Sequence, residues 1–246
     1  MRNIIVKRIP SVCAILTLNS SKHHKIKNIH TCCANFLSWR DFIPNIWVPR
    51  TIQPPYRHVV QIGDPVLRQK AENVPEEEIT SEAMKYIYQR MVNTMTKFKL
   101  SGISAPQVGV PLRVVAFEFT KKYMQNYGVE VAKTRNMQLL PLTLLVNPKL
   151  KVTDFTKQTF PEGCGSLAGF TADVTRYSAV EVTGFDQNGV RKTIQLDGWN
   201  ARIAQHEMDH LEGVMFSDLM DRKTLQLIIW PWVNAREGRI EMKYYG

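Results

Sequence analysis

Cysteine is scarce in this chain. Four occur in 246 residues, and Cys13, Cys32 and Cys33 all fall near the start. After them Cys164 stands alone, so no disulfide framework can staple the rest of the chain. Nothing approaches the roughly 20 consecutive apolar residues that span a bilayer, so no membrane span is expected. No period repeats along the sequence, which excludes a solenoid or a propeller. Acidic residues are missing altogether from residues 1–40, which carry seven Lys or Arg. From Asp41 onward 25 basic side chains face 22 acidic ones, so the formal +10 of the whole chain falls to +3 once that segment is set aside. So small an excess gives no basis for a sequence-specific nucleic-acid partner. Lys149, Lys151 and Lys157 read as a solvated edge.

The acid-free segment, with its scattered serines and threonines, reads as an organellar transit peptide over residues 1–40. The apolar run Val12 to Leu18 is the rival feature of a secretory signal, but no small-residue cleavage site follows, and Lys22-His23-His24-Lys25 comes quickly. Mitochondrion (matrix) is the expected location, with a plastid as the alternative. Residues 41–58 hold Pro44, Pro49, Pro54 and Pro55 and read as an extended, Pro-rich linker. Residues 59–246 are then one folded domain, for which a 44% apolar composition supplies a core.

What the chain does have is Gln205-His206-Glu207-Met208-Asp209-His210. On a helix, residues four apart stand on one face, so His206 and His210 can reach one cation. Glu207 can then act on a water at that cation. Ala201, Ala204, Met208 and Leu211 form an apolar stripe, and Gly213 stands where a C-terminal cap belongs, so a packing helix is expected in either case. Two histidines leave a catalytic metal one protein ligand short. The extension H-E-x-x-H-x-x-G-x-x-H fails at Phe216. A downstream glutamate could come only from Glu237 or Glu241, beyond Pro231. Upstream, Cys164 lies between Gly163 and Gly165, where the backbone can approach an ion closely. Alone it would be a small buried residue; beside the histidine pair it is the best candidate.

With these residues in view the chain resembles the peptide deformylases, in their organellar branch. Three blocks carry the resemblance, in order: Leu100 to Gln107 (Leu-Ser-Gly-Ile-Ser-Ala-Pro-Gln), Glu162 to Ser166 (Glu-Gly-Cys-Gly-Ser), and Gln205 to His210. It implies an α+β fold, with antiparallel β-sheets packed around a central helix that carries the H-E-x-x-H motif. It also implies removal of the N-formyl group from formylmethionine on nascent organelle-encoded proteins, releasing formate. Cys164, His206 and His210 would hold one divalent ion: Fe(II) is favoured, and Zn(II), Co(II) or Ni(II) suit the same donors. Glu207 would be the general base. The Gln107 amide and the N–H of Gly165 would meet the oxyanion. Gly102, Ile103, Gly165 and Ile203, with Val108 nearby, would bind substrate, and Glu162 with Arg176 would steady the cysteine loop. The partners implied are N-formylmethionyl nascent peptides and the mitochondrial ribosome. An H-E-x-x-H metallopeptidase and a catalytically weak, ribosome-associated deformylase-like binder are the alternatives.

Two positions depart from the family pattern. Leu100 replaces its first glycine, and Gly165 replaces a larger residue after the cysteine. A bare glycine there leaves the loop loose, and Gly165→Leu is expected to raise kcat/KM if stiffness limits the rate.

Helices are expected from Thr80 or Ser81 to about Lys97 and from about Asp218 to Ile229, the latter ending at Pro231. Strands are expected over Leu112–Phe119, over Leu142–Val152 with an interruption near Asn147-Pro148, and over Tyr177–Phe185. The last turns at Asp186 to Gly189 into Val190–Leu196. Thr120–Met137 reads as an insertion of unreadable role.

Overall fold

The fold is that of a computed structural model, which describes residues 53–239. The leader, the linker up to residue 52 and Glu241 lie outside them.

Alternation organises the core. Helix α1, Glu82–Lys97, opens where the Ser81 side chain accepts the Met84 N–H. It buries Met84, Tyr88, Met91 and Met95, so the methionine stripe is core. Strands β1 (Gly102–Ser104) and β2 (Val114–Phe119) pair antiparallel, and β2 pairs in turn with the first part of β3 (Leu140–Cys164). Val114, Ala116, Leu144 and Val146 face the α1 cluster, while Val115, Phe117 and Leu145 face a second cluster on the other side. Period-two alternation thus gives one sheet two apolar faces.

The second face receives α4, Gly198–Leu211, through Trp199, Ala201, Ala204 and Leu211. Between β3 and α4 run β4 (Leu167–Phe185) and β5 (Arg191–Asp197), joined by a turn that the Asp186 carboxylate holds through the N–H groups of Asn188 and Val190. All pairings in the path β1-β2-β3-β4-β5 are antiparallel. An antiparallel sheet carrying one buried helix is the expected α+β architecture. Among the described residues, no helix is long and apolar enough to cross a membrane.

Four segments differ from expectation, the first being β4, which begins at Leu167 and not at Tyr177 because it pairs with the extended β3. Strand β3 does not stop at Val152. It runs to Cys164, with register shifts against β4 on either side of Asp154. Thr120–Met137 forms two short helices, α2 (Lys121–Met124) and α3 (Val129–Thr134), and Tyr123, Met124 and Tyr127 pack on the α4 cluster.

The expected helix from Asp218 to Ile229 is absent. Phe216–Leu219 is a single turn (α5), and Arg222–Thr224 is a 3-10 turn capped by Asp221. Gln226–Leu227 (β6) pairs with β4, and Trp230–Ala235 (α6) follows. Tertiary bonds override the helical periodicity: Asp221 N–H donates to Asp173 O, and the Asp173 N–H donates to Thr224 Oγ1. Pro231 sits in the first turn of α6, where its missing N–H costs nothing, so it begins a helix instead of ending one.

Candidate metal centre

Two elements meet at the centre. Helix α4 presents His206 and His210 one turn apart, with ring centroids 5.1 Å from each other. The hairpin between β3 and β4 delivers Cys164, buried, with Sγ 3.2 Å from His210 Nε2. One ligand atom from each of Cys164, His206 and His210 can be chosen so that all lie within 4.8 Å of one another. That spread suits a shared ion with bonds of about 2.0–2.3 Å. His206 Nδ1 lies 3.0 Å from Glu162 Oε2, a pairing that leaves Nε2 for an ion.

Charge in the site favours a cation as well. Burial would raise the Cys164 thiol, but His210 and His206 outweigh it and hold the thiol well below its usual range. Burial would lower His206, yet its bonds to Cys164 and Glu162 push it well above. The donors thus tend to thiolate and imidazolium, and a divalent ion can replace the proton the imidazolium carries. Among the described residues, the rival third ligands do not assemble. Glu237 is exposed and pairs with Arg239, and Phe216 stacks against His206.

Behind the donors lies a buried ion network. Arg176 binds the Glu162 carboxylate through Nε and Nη2, both at 3.0 Å, and reaches Asp209 with Nη1. Arg202 donates to Glu162 Oε1 and Val174 O, each at 2.7 Å, and to Gln158 O at 2.6 Å. Burial pushes the Glu162 carboxyl up, but hydrogen bonds from His206 and Arg176 win and bring it to about 2. The expected Glu162–Arg176 pair is therefore present, and it orients His206 as well as the cysteine loop. Sequence reasoning missed Arg202 and Asp209. An arginine four residues before His206, on the same helical face, was the available signal. Gln205 does not face the donors; it bolts α4 to β4 through the N–H and C=O of Tyr177.

On the opposite wall, a 3-10 turn over Ala105–Val108 carries Gln107. Its Oε1 accepts from the Ser104 N–H at 2.9 Å, which aims Nε2 at Ser166 Oγ (3.3 Å) and Cys164 Sγ (3.6 Å). Ser104 and Ser166, both fully buried, were given no role in the site from the sequence. Glu207 is buried, with Oε2 lacking a partner among the described residues, and burial pushes its carboxyl up to about 7 against the pull of His206 and His210. Gly102 lies directly beneath it: a Cβ there would come 2.5 Å from Glu207 Oε1.

Cys164, His206, Glu207, Gln107, Gly102, Gly165 and Ile203 all line one cavity of about 570 Å³. Ile103 and Val108 do not; both are fully buried in the α1 cluster. The same cavity is lined by Tyr127, Trp199 and Arg135, whose guanidinium lies 5.0 Å from the Trp199 ring. The inserted segment therefore forms part of the cavity.

The sequence profile described as "Polypeptide deformylase" matches residues 56–226. This chain belongs to that family. Its hydrolases remove the N-formyl group, and they depend on a metal. The chain is 43% identical over 182 residues to "Peptide deformylase, mitochondrial" of Homo sapiens, covering 74% of this chain and 75% of the human one. It is 39% identical over 170 residues to "Peptide deformylase 1A, chloroplastic" of Solanum lycopersicum, covering 69% of this chain and 61% of the tomato one. Among solved structures, a plant peptide deformylase PDF1B superposes with a TM-score of 0.57 at 32% identity, over 76% of this chain and 91% of that one. The deformylase from Synechococcus elongatus in complex with actinonin gives 0.57 at 28%, over 82% and 96%.

Proposed function

We propose that this deformylase acts on formylmethionine at the start of nascent organelle-encoded chains, in the mitochondrial matrix. Residues 1–40 would serve as the removed leader, 41–58 as a linker and 59–246 as the catalytic domain. The observation that carries the reading is the convergence of Cys164, His206 and His210 beside the orphaned oxygen of Glu207. Support for the organelle comes from the acid-free N-terminus and from mitochondrial and chloroplastic relatives.

Cys164, His206 and His210 would hold the ion, with Fe(II) preferred among the metals that accept this donor set. When bound, the ion supplies Lewis acidity toward water and the formyl oxygen. Glu207 would take the proton of the attacking water and hand it to the departing amine, which completes formate release. Its confinement over Gly102 leaves the carboxylate little room to turn away. The Gln107 amide and the Gly165 N–H would donate to the developing oxyanion, and a single donor of this kind is worth about 100- to 1000-fold in rate. Ribosome association belongs to the same reading, since the substrate emerges there.

The mature protein, purified without oxygen from mitochondria, should release formate from formyl-Met-Ala-Ser and contain stoichiometric iron. Both Cys164→Ser and Glu207→Gln should abolish release, and only the first should lose the metal. Internal peptide cleavage surviving Cys164→Ser would establish the metallopeptidase. An inactive wild type that still binds formyl-Met peptides would establish the binder.

A further inference from the structure

Gly165 is not a glycine because of its backbone, since it is absent from the positive-φ positions. What excludes a larger residue is space. A Cβ at 165 would stand 3.1 and 3.2 Å from the two terminal methyls of Leu100, and 3.3 Å from Val59 Cγ1. Few real Cβ contacts are this tight, so Leu100 and Val59 would have to give by a few tenths of an ångström for a side chain at 165. Leu100 is itself anchored: its N–H donates to Met95 O at 2.9 Å, and its side chain packs on the α1 cluster while also lining the cavity. From the other side, Gln61 Nε2 donates to Gly165 O at 2.8 Å. Leu100 and Val59 thus occupy the space beside Gly165 that a side chain would take, and Gln61 holds its carbonyl.

We propose that Leu100 is a positioning residue for the reaction. It supplies, from the loop after α1, the apolar bulk that residue 165 lacks, and so fixes the direction of the 165 N–H. Bulk at 100 and bulk at 165 are alternatives for one volume beside Cys164. The inference deepens the role given above to the Gly165 N–H and rests on that reading. A glycine freed of its neighbours regains conformations that lead its N–H away from the cavity, and displacements near 1 Å in a reacting site can cost about 100-fold. The proposal therefore predicts the opposite of the expectation that Gly165→Leu would speed the enzyme, since Leu100 stiffens the loop from outside.

The test is a double-mutant cycle in the full-length metal-loaded enzyme, with kcat and KM on formyl-Met-Ala-Ser, metal content and thermal midpoint measured for each form. Leu100→Gly should lower kcat about tenfold or more and leave KM within about threefold, as expected when an oriented donor is lost. Gly165→Leu alone should lower kcat by a similar factor. Leu100→Gly with Gly165→Leu should return kcat to within about threefold of wild type, a coupling that independent sites do not show. Losses that multiply in the double variant, or a Gly165→Leu enzyme equal to or faster than wild type, would overturn the proposal. Should Leu100→Gly fail to fold, the cycle of Leu100→Ala with Gly165→Ala reads the same coupling. A wild type that releases no formate would instead bring down the deformylase reading itself, so the two failures are separate results.

Discussion

Glu162 is the residue on which the centre is hung. Its two oxygens serve Arg176, Arg202 and His206 at once, all within 3.0 Å. A carboxylate buried this deeply is stable only because two guanidiniums and an imidazole replace its water. Glu162→Gln keeps the shape and removes the charge, so it leaves Arg176 with Asp209 alone and Arg202 without its carboxylate partner. Loss of an outer partner of a metal-binding histidine typically costs about 10- to 100-fold in metal affinity. We expect Glu162→Gln to fall in that range by chelator competition, with kcat/KM falling at subsaturating metal and largely recovering at saturation. No change in metal affinity would mean that His206 is oriented by its helix alone. His206, Glu207 and His210 were readable because a single helix sets their spacing. Ser104, Ser166 and Arg202 act across chain separations that no local pattern encodes, although the spacing of Arg202 on the histidine face was there to notice.

At the scale of elements, the sequence was most legible where one face is buried and the other wet. Helix α1, strand β2 and the β4–β5 hairpin all have that pattern. It failed in β3 beyond Val152, because Thr153 to Thr159 is almost wholly exposed. There the register is set by pairing with β4, and hydrophobicity carries no signal. It failed again after Met215, where bonds to Asp173 and pairing with β4 decided the path. The interruption expected near Asn147-Pro148 is present as a pinned bulge. Asn147 adopts φ +50°, its Nδ2 donates to Val74 O at 2.7 Å, and its Oδ1 accepts the Val74 N–H at 2.8 Å. Both groups of one peptide segment are satisfied by a single side chain. Asn147→Ala should destabilise the protein by about 2–4 kcal/mol, combining left-handed strain with unmet backbone groups. Asn147→Gly should recover about 1 kcal/mol of that, since only the strain is relieved. Urea unfolding midpoints of the three forms decide it, and equal losses for both variants would show that the backbone conformation is unstrained.

Across the whole molecule, the metal ligands join parts that the chain holds far apart. Cys164 belongs to a cluster with Val60, Leu67, Val174 and Phe216, whereas α4 rests on the cluster of Phe117, Leu145 and Val180. An ion shared by Cys164, His206 and His210 therefore ties the end of the β3–β4 ribbon to the central helix. Anything that binds only the folded state stabilises it by mass action, about 2.7 kcal/mol at a free concentration of 100 Kd. For a folded part of this size, 1 kcal/mol moves the thermal midpoint by about 2–4 °C. Zn(II) or Co(II) added anaerobically to the apoprotein should thus raise the midpoint by roughly 5–11 °C at that saturation, and a chelator should reverse it. Cys164→Ser should lose most of the rise while its apo midpoint stays close to that of the parent, because serine fills nearly the same volume. A Cys164→Ser protein that gained as much as wild type would place the ion elsewhere than between the sulfur and the two rings.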